Sequence, residues 1–360
     1  MKNMEKVRLD SLLISADTTI KEAMLRLDKT AERIVFVVDK KRVILGTITD
    51  GDIRRGLIHG MKFSDKVSKI MHRDYITVGN DASDKYRKVR SIMLENEIEQ
   101  IPVVDEKKRI VDLIVWTDIF GDKPAIERSF NNPVVIMAGG KGARLEPFTR
   151  ILPKPLIPIG EKTIVEIIME KFSLCGFKNF IFTLNYKKEY IKLFFKENKF
   201  PYSIDWVEEP ESMGTAGSLS LLNDKIKDTF IVSNCDILVE ADYADVLKWH
   251  KENGNLVTLI GCHKEVEIPY GILEMNNGTL KRFIEKPNYD VLINTGLYVL
   301  EPEVISLIRK PKFMDMNHLI DLASKKGKVS VYPVHGGWFD LGQWEEYNKT
   351  VAKLKDASHL

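Results

Sequence analysis

The sequence has neither a long hydrophobic run nor an excess of charge of one sign. No stretch of the 360 residues approaches 18 uninterrupted apolar residues, and no apolar core follows the first positive charges of the N-terminus. We therefore expect no membrane anchor and a cytoplasmic location. The 54 basic residues nearly balance the 52 acidic ones, giving a formal net charge of +2. This balance argues against a nucleic-acid partner or an anionic membrane, so any bound anion must be held locally.

Cysteine is also scarce. The three cysteines, Cys175, Cys235 and Cys262, are far apart and form no C-x-x-C pair. This excludes a zinc ribbon or a dithiol redox motif and favours reduced, buried thiols. None of the seven histidines has the spacing of a metal-binding pair. A 360-residue chain with 44% hydrophobic residues is long enough for two or three domains with separate cores.

The first third of the chain contains an internal repeat with a spacing of 66 residues, in which 34–53 aligns without gaps within 99–119. Each copy is predicted to form an amphipathic helix, an apolar strand, a charged turn, a second strand and a short helix. The amphipathic helices are predicted at 20–27 and 85–94. Two such α/β units are expected to bury each other's open faces.

This repeat resembles the CBS-domain pair, or Bateman module, over residues 1–122. In that family a Thr or Ser three residues before an Asp holds the ribose of an adenosyl ligand. The first repeat has this pair as Thr49 and Asp52, whereas the second has Val115 and Asp118 and lacks the hydroxyl. The resemblance implies an adenosyl site in the first repeat, with a purely structural role in dimerisation as the alternative. It also implies a homo-oligomer.

Residues 123–132 are predicted to be a linker, because this region combines Gly, Pro, Asn and charges without an apolar period. From 133 to 360 strands alternate with helices, which predicts a parallel, doubly wound α/β sheet. Thr163 and Glu166 predict a capping box for a helix that stops at Gly176. The strands are predicted at 134–138, 179–184, 230–234 and 256–261. Further helices are predicted near 187–195, 243–253 and 344–354.

A glycine-rich loop, GGKGARLEPFTRILPKP (139–155), directly follows the first of these strands. Open α/β sheets bind nucleotides at the carboxyl ends of their strands, and glycines let backbone N–H groups approach phosphate oxygens. Arg144 and Lys154 supply positive charge for a triphosphate. Leu145 breaks the G-x-G-x-x-G dinucleotide fingerprint, and the G-K-[ST] of a P-loop is absent.

This loop resembles the signature of the sugar-1-phosphate nucleotidyltransferases, and the likeness continues through most of 133–350. The later motifs, in order, are EEPESMGTAGSL (208–219), NCD (234–236), PYGIL (269–273), EKP (285–287), NTGLY (294–298) and WFDLG (338–342). The resemblance implies a Rossmann-like, doubly wound mixed sheet, the nucleotide-diphospho-sugar transferase fold, preceded by the α/β CBS pair. It implies in-line attack of a sugar 1-phosphate on the α-phosphorus of an NTP, assisted by Mg²⁺.

The resemblance also implies residue roles. Arg144, Lys154 and Lys286 would neutralise phosphate charge, and Asp236 and Asp340 would hold Mg²⁺. Pro287 is expected to bias Lys286 toward an extended backbone. The residues implied for nucleotide binding are Ala138, Gly139, Gly140, Gly142, Gly214, Thr215 and Ala216. Those implied for the sugar are Gly271, Glu285, Asn294 and Thr295. A hairpin or a helix start is the alternative explanation of the glycines at 214–217.

The segment 208–222 resembles mannose-1-phosphate guanylyltransferases more than uridylyl or thymidylyl enzymes, which implies GTP. A CBS pair ahead of such a domain resembles glucosamine-1-phosphate guanylyltransferases of bacterial legionaminic acid synthesis. That likeness implies glucosamine 1-phosphate, with mannose 1-phosphate as the alternative. The alternative of another class is a non-catalytic regulator that binds nucleotides through both halves of the chain.

Overall fold

The computed structural model describes residues 9–30, 34–80, 85–96, 98–120, 129–308, 312–334, 337–344 and 347. The chain divides into two compact units, Met1–Ile126 and Glu127–Leu360. No helix among the described residues is long and apolar enough to cross a membrane. Residues 123–128 of the predicted linker lie outside the described residues.

The first unit contains the two predicted repeats. The elements of the first are β1 (Leu13–Ser15), α1 (Ile20–Thr30), β2 (Ile34–Val38), β3 (Ile44–Thr49) and α2 (Asp50–Ile58). Those of the second are β4 (Val78–Gly79), α3 (Lys85–Asn96), β5 (Gln100–Val104), β6 (Ile110–Val115) and α4 (Trp116–Phe120). Each repeat forms a three-stranded sheet in which the first strand is parallel to the second and the second is antiparallel to the third.

A shared core joins the two repeats. Phe36 and Ile44 of the first repeat pack in one apolar cluster with Ile110 of the second. Backbone hydrogen bonds cross the same boundary, since the N–H of Ile110 donates to the carbonyl of Arg42 at 3.0 Å. Burial of this surface removes apolar area from water that either repeat alone would expose. The expectation that the two repeats cover each other's open faces is confirmed.

The second unit contains one large sheet, with helices and short strands around it. Its strands are β7 (Val134–Ala138), β8 (Pro158–Ile159), β9 (Lys162–Thr163), β10 (Asn179–Leu184), β11 (Ser203–Glu208), β12 (Phe230–Asn234), β13 (Ile237–Val239), β14 (Val257–Glu267), β15 (Ile272–Asn276), β16 (Thr279–Ile284), β17 (Asn288–Leu300), β18 (Val329–Val334) and β19 (Trp338–Asp340). Its α-helices are α5 (Ile164–Leu174), α6 (Lys188–Glu197), α7 (Tyr243–Glu252) and α8 (Met316–Ser324). Short 3₁₀ helices include Ala143–Leu145, Phe148–Arg150, Lys154–Leu156, Gly217–Leu222 and Pro302–Leu307.

The large sheet has seven strands in the order β11-β10-β7-β12-β17-β14-β18. Strand β17 is antiparallel to both neighbours, β12 and β14, whereas the other pairs are parallel. The sheet is therefore mixed, as the family resemblance implies, and the all-parallel arrangement predicted from strand–helix alternation is wrong. The alternation failed because β14 and β17 are connected through the β15–β16 hairpin rather than through a helix.

Local signals at α5 are confirmed. Thr163 Oγ1 accepts the N–H of Glu166 at 3.4 Å, and Glu166 Oε2 accepts the N–H of Thr163 at 2.7 Å, which is the predicted capping box. The helix ends at Leu174, and Gly176 has a φ of 98°, a left-handed backbone that favours glycine after a helix.

The end of the predicted linker packs on the second unit. The N–H of Phe130 donates to the carbonyl of Gly176 at 2.9 Å, and the Phe130 ring stacks on Phe177 with 4.8 Å between ring centres. Asn132 is buried and its side-chain amide donates to the carbonyl of Thr229 at 2.7 Å. Residues 129–132 therefore belong structurally to the second unit. Of the helix predicted at 344–354, residues 345–346 and 348–354 lie outside the described residues.

Candidate active site

Two carboxylates are brought together at one end of the large sheet by a short strand pair. Asp236 lies in the turn between β12 and β13, and Asp340 ends β19. Strands β13 and β19 pair antiparallel with Ile237 opposite Asp340, and the N–H of Leu341 donates to the carbonyl of Asp236 at 2.9 Å. This register puts residues that are far apart in sequence on adjacent positions.

Lys154 completes the cluster, which we call the charged triad: Lys154, Asp236 and Asp340. The Lys154 ammonium donates to Asp236 Oδ2, and both side chains are largely buried. Gly342 shows how tightly the three groups are packed. A Cβ at that position would fall within 3.0 Å of Asp236 Oδ2, of Lys154 Nζ and of Asp340 Oδ1. The three charged groups therefore meet around one point, where a Cβ would displace them.

Burial governs the ionisation of the triad. Burial raises the pKa of the Asp236 carboxyl; the Lys154 ammonium opposes this shift, whereas the Asp340 carboxylate adds to it. Burial alone would lower the pKa of Lys154, but Asp236, Cys235 and Asp340 outweigh it and raise that pKa above its usual value. The Lys154 ammonium thus stays charged near neutral pH. Burial raises the pKa of the Cys235 thiol to about 12, so the thiol stays protonated and inert.

The donor set of this site fits Mg²⁺ and does not fit a closed metal cage. Within the described ranges, no group of three or more His, Cys, Asp or Glu side chains is arranged to hold a metal ion. Asp236 and Asp340 offer two hard carboxylates in an otherwise crowded position. Mg²⁺ commonly takes one or two protein carboxylates and completes its shell with water and phosphate oxygens. The role predicted for these two residues stays a prediction.

The glycine-rich loop folds directly beside the triad. Gly142 has a φ of 67°, and a Cβ there would lie 3.0 Å from both Thr149 Cγ2 and Lys154 Cβ. Gly140 faces open space, because a Cβ at that position would meet no described atom within 4 Å. The Thr149 hydroxyl is buried and has no hydrogen-bond partner among the described residues. The loop therefore has free space for phosphate oxygens at Gly140, and it also contains a buried polar group without a partner at Thr149 among the described residues.

Residues after β10 and near the end of the described chain fasten this loop. The Tyr186 hydroxyl donates to the carbonyl of Thr149 at 3.3 Å, and the Lys187 ammonium donates to the carbonyl of Arg150. The Trp344 indole N–H donates to the carbonyl of Glu146 at 3.2 Å. Arg144 lies on this loop and is exposed, and its guanidinium forms no ion pair with the described residues. It is therefore available to a ligand.

The second glycine segment, Gly214–Ala216, packs closely against the chain around Met314. Gly214 has a φ of 73°, and a Cβ there would lie 2.6 Å from the carbonyl oxygen of Met314. The Thr215 hydroxyl accepts the N–H of Met316 at 2.8 Å and so caps α8. The N–H of Ala216 donates to the same Met314 carbonyl at 2.9 Å. Close backbone packing thus explains these small residues, and base binding by them stays a prediction.

Glu209 is a further candidate residue of the site, which lies within the motif 208–219 but has no role that the sequence alone indicates. It is buried, and its Oε2 accepts the N–H of Met213 at 3.1 Å. A Cβ on Gly139 would lie 2.5 Å from its Oε1. Burial raises the pKa of the Glu209 carboxyl, against hydrogen bonds from Met213, Thr183 and Ser218 that lower it. The carboxylate therefore lies between the two glycine segments predicted to line the nucleotide, Ala138–Gly142 and Gly214–Ala216.

Part of the predicted sugar site is assembled at the base of the β15–β16 hairpin. A Cβ on Gly271 would lie 3.1 Å from Glu285 Oε2 and 2.7 Å from the Phe283 ring, so Gly271 and Glu285 are neighbours. Lys286 is exposed, and no hydrogen bond or ion pair among the described residues joins it to the charged triad. Its φ is 40°, so the extended conformation expected before Pro287 is wrong. The chain turns from β16 into β17 within three residues, and this tight turn overrides the usual preference before proline.

The other two predicted sugar residues lie on β17. The Asn294 side chain is exposed, and its amide donates to the Tyr298 hydroxyl at 2.8 Å. Thr295 is buried and its hydroxyl donates to the carbonyl of Ile260 at 2.8 Å. Its side chain therefore faces the core, where β17 alternation places it, rather than a pocket. A Cβ on Gly296 would lie 2.5 Å from the Asn234 amide, so this part of β17 adjoins the strand end that precedes Asp236.

Thr49 and Asp52 in the first unit are already bonded to each other. They form a capping box for α2, in which the Thr49 hydroxyl donates to Asp52 Oδ2 at 2.7 Å. Arg55 pairs with Asp52 Oδ1 at 2.6 Å. In the second repeat Asp118 Oδ2 accepts the N–H of Val115 at 2.9 Å. The aspartate half of the capping box is therefore kept, although Val115 has no hydroxyl. Adenosyl binding at Thr49 and Asp52 stays a prediction.

Comparisons with known families match both units. The family model described as "Nucleotidyl transferase" matches residues 133–357, and that of the CBS domain matches 7–59 and 67–122. The chain is similar to "Probable mannose-1-phosphate guanylyltransferase 1" of Oryza sativa subsp. japonica, at 31% identity over 249 residues, 63% of this chain and 69% of the relative. It is also similar to "Mannose-1-phosphate guanyltransferase" of Yarrowia lipolytica, at 33% identity over 223 residues, 59% of this chain and 61% of the relative.

Solved structures match the second unit. HddC from Yersinia pseudotuberculosis is 28% identical with a TM-score of 0.51, and the match covers 62% of this chain and 99% of HddC. The same protein complexed with GMP-PN matches with a TM-score of 0.50. A putative glucose-1-phosphate thymidylyltransferase from Bacillus anthracis, 20% identical with a TM-score of 0.51, covers 62% of this chain and 95% of its own. That last likeness supports the fold alone.

The packing around Gly342 yields the first prediction. We expect Gly342→Ala to lower turnover at least about 100-fold, because its Cβ must displace the charged groups of the triad and small misplacements of reacting groups are costly. Gly79→Ala is the matched control, since a Cβ there meets no described atom within 4 Å. Steady-state turnover and thermal unfolding of both variants are measured. Unchanged turnover in Gly342→Ala would contradict the arrangement.

Proposed function

Because the chain belongs to the nucleotidyl transferase family, we propose that it transfers a nucleotidyl group from an NTP, GTP by preference, to a sugar 1-phosphate. The observation that carries this proposal is the convergence of Lys154, Asp236 and Asp340 around Gly342, directly beside the glycine-rich loop. A cation and two carboxylates at that position suit the neutralisation and alignment of phosphate groups. Phosphoryl chemistry needs little else from a protein than positioning and charge.

The proposed reaction is a substitution at the α-phosphorus of the nucleotide. A phosphate oxygen of the sugar 1-phosphate forms a bond to that phosphorus, and the bond to the bridging oxygen of the β-phosphate breaks. The electron pair leaves with pyrophosphate, and the other product is an NDP-sugar. Since both reactants are anions, mutual repulsion is the main obstacle, and fixed positive charge lowers it.

Residues of the chain supply positive charge and hydrogen-bond donors for these phosphate groups. Lys154 stays protonated because of its carboxylate neighbours, and it lies where the loop and the strand ends meet. Arg144 is exposed on the loop and is proposed to stabilise the departing pyrophosphate. Backbone N–H groups near Gly140 add neutral donors. Lys286, on an exposed turn, is proposed to meet the sugar phosphate from the hairpin side.

Asp236 and Asp340 are proposed to hold Mg²⁺, which when bound supplies positive charge to the phosphate oxygens. Lys154 bonds to Asp236 in this structure. When the substrates bind, we expect Lys154 to pair with a phosphate group and Asp236 to pair with the cation. Asp340 is fixed for this task, because the N–H of Gly342 donates to its Oδ1 at 3.0 Å and the Gln343 amide donates to its Oδ2 at 2.6 Å.

Glu209 supports guanine as the base. A carboxylate only accepts hydrogen bonds, and guanine presents two adjacent donors, N1–H and the N2 amino group. Uracil and thymine present one ring N–H, and adenine has an unprotonated N1. Glu209 lies against Gly139 and Met213, at the two segments predicted to line the nucleotide. The likeness to HddC, solved with GMP-PN, and to mannose-1-phosphate guanylyltransferases points the same way.

For the sugar we propose glucosamine 1-phosphate, with mannose 1-phosphate as the alternative. The CBS pair ahead of the catalytic unit supports glucosamine, because that architecture resembles the enzymes of legionaminic acid synthesis. The similar curated proteins support mannose. This choice of sugar is expected to depend on Gly271, Glu285 and Asn294, because they lie at the hairpin base and on β17.

A panel assay tests the function. Each of GTP, UTP, dTTP, ATP and CTP is combined with glucosamine, mannose and glucose 1-phosphates, with and without Mg²⁺, and products are identified by mass. We expect GDP-glucosamine with equimolar pyrophosphate, and formation only with the divalent ion. GDP-mannose as the main product would favour the alternative sugar. If no pair turns over, the non-catalytic regulator replaces the enzyme.

Glu209→Gln tests the choice of base. The amide puts an N–H donor where guanine also donates, so kcat/KM for GTP should fall by about 10- to 100-fold, as expected for an unmatched buried polar group. Efficiency with UTP should fall less. Glu208→Gln is the matched control, because Glu208 is the adjacent residue, exposed and paired with Lys188 and Lys192. Equal losses for GTP and UTP in Glu209→Gln would exclude this role.

A further inference from the structure

The β15–β16 hairpin exposes an apolar face made of Leu273, Met275, Leu280 and Phe283, which we call the hairpin face. The exposed fractions of these residues are 63%, 76%, 59% and 56%. They form cross-strand pairs, Leu273 opposite Phe283 and Met275 opposite Leu280. Tyr270, which is 74% exposed, precedes the hairpin. Such a continuous set of large apolar side chains on a surface marks an interaction site rather than scattered exposure.

A β-bulge maintains this face. In a regular strand, Leu280 and Phe283 would point to opposite sides, because they are three residues apart. The register of the pair shifts between Glu274 and Met275, which leaves Lys281 as the extra residue. The shift places Leu280 on the same side as Phe283. The irregular pairing therefore gathers the apolar residues on one face, and bulges of this kind commonly aim side chains for a purpose.

The opposite face of the hairpin is partly covered. Ile272, Glu274 and Ile284 on that side are half-buried and Arg282 is exposed, whereas all four residues of the hairpin face are exposed. A two-stranded sheet is marginally stable in water by itself. Cover on the hairpin face would remove apolar area from water and hold the hairpin in place.

We propose that the hairpin face binds the same face of a second copy of the chain in an isologous homodimer. The surface that covers the hairpin face must have a comparable apolar area. The described part of the N-terminal unit exposes little apolar surface. Its exposed large apolar residues are single ones on separate elements, Leu25, Ile58 and Val111. The hairpin face of a second copy supplies a matching surface by symmetry, as closed two-fold dimers do.

The charge and the exposed area of the hairpin face both fit a second copy of the chain. The hairpin and its flanks carry Glu274, Lys281, Arg282, Glu285 and Lys286, which is close to balance and favours neither a strongly acidic nor a strongly basic partner. The hairpin face and Tyr270 expose on the order of 500 Å² per copy, if a fully exposed large side chain presents about 150–250 Å². Two copies would bury on the order of 1,000 Å², the lower bound of a specific interface.

The interface adjoins the sugar end of the active site but does not depend on the proposed reaction. Gly271 and Glu285 flank the hairpin, and Phe283 lies against Gly271. Oligomeric state is measured without substrate, so the dimer and the enzymatic activity succeed or fail separately.

The first test is a charge-pair variant of the full chain. Met275→Glu together with Leu280→Lys places opposite charges on a cross-strand pair, which keeps the hairpin folded while making its face polar. By analytical ultracentrifugation, we expect the variant assembly to have half the mass of the wild-type assembly, with a dissociation constant raised on the order of 100-fold. The matched control, Leu174→Glu with Leu193→Lys, alters two exposed leucines elsewhere and should keep the wild-type mass. A monomeric wild type, or a variant with wild-type mass, overturns the proposal.

The second test identifies the occupant. A photoreactive residue replaces Met275, and nitrogen-14 and nitrogen-15 copies are mixed before illumination. We expect heavy–light crosslinks that join the segment 272–284 of one copy to that of the other. Crosslinks from this residue confined to one chain, for example to its N-terminal unit, overturn the dimer, as does the absence of any crosslink between hairpins.

Discussion

The pairing of β13 with β19 is the constraint on which the candidate site depends. It sets Ile237 opposite Asp340 and thereby brings Asp236 and Asp340 together, although about a hundred residues separate them in the chain. Lys154 enters from the end of the glycine-rich loop and bonds to Asp236. Lys154 and Asp236 are largely buried, and they are stable there only as a compensated pair, because an unpaired buried charge is costly. The absence of a side chain at Gly342 is what lets them approach.

The rest of the fold serves to hold that arrangement. Strand β7 delivers the glycine-rich loop and β12 delivers Asp236 to the same edge of the large sheet, since the two strands are parallel neighbours. Tyr186 and Lys187, at the end of the next parallel strand, fasten the far part of the loop. Each contribution comes from the carboxyl end of a strand, where open α/β sheets place their ligands. The hairpin adds a separate wall, with Gly271 beside Glu285.

Local signals predicted strands β7, β10 and β12, the first half of β14 and the capping box at Thr163, and the family resemblance implied that Lys154, Asp236 and Asp340 serve one site. What the sequence did not reveal depends on tertiary contacts. Adjacent Glu208 and Glu209 look alike in sequence, yet one is exposed and paired with lysines while the other is buried under Gly139. Thr295 faces the core because of its place in β17, and Lys286 takes a positive φ because of a tight turn. Strand β17 runs antiparallel because the β15–β16 hairpin connects it to β14, and hydrophobic periodicity alone does not distinguish this connection from a helical crossover.

Asp236 and Asp340 are proposed to act on one divalent ion together with a bound nucleotide. A double-mutant cycle on Mn²⁺ affinity, measured by electron paramagnetic resonance with a non-hydrolysable GTP analogue present, probes this shared site. We expect Asp236→Asn and Asp340→Asn each to weaken Mn²⁺ binding by about tenfold or more, and the double variant to lose little beyond either single one. Unchanged affinity in either single variant, or losses that simply add, would contradict a shared site.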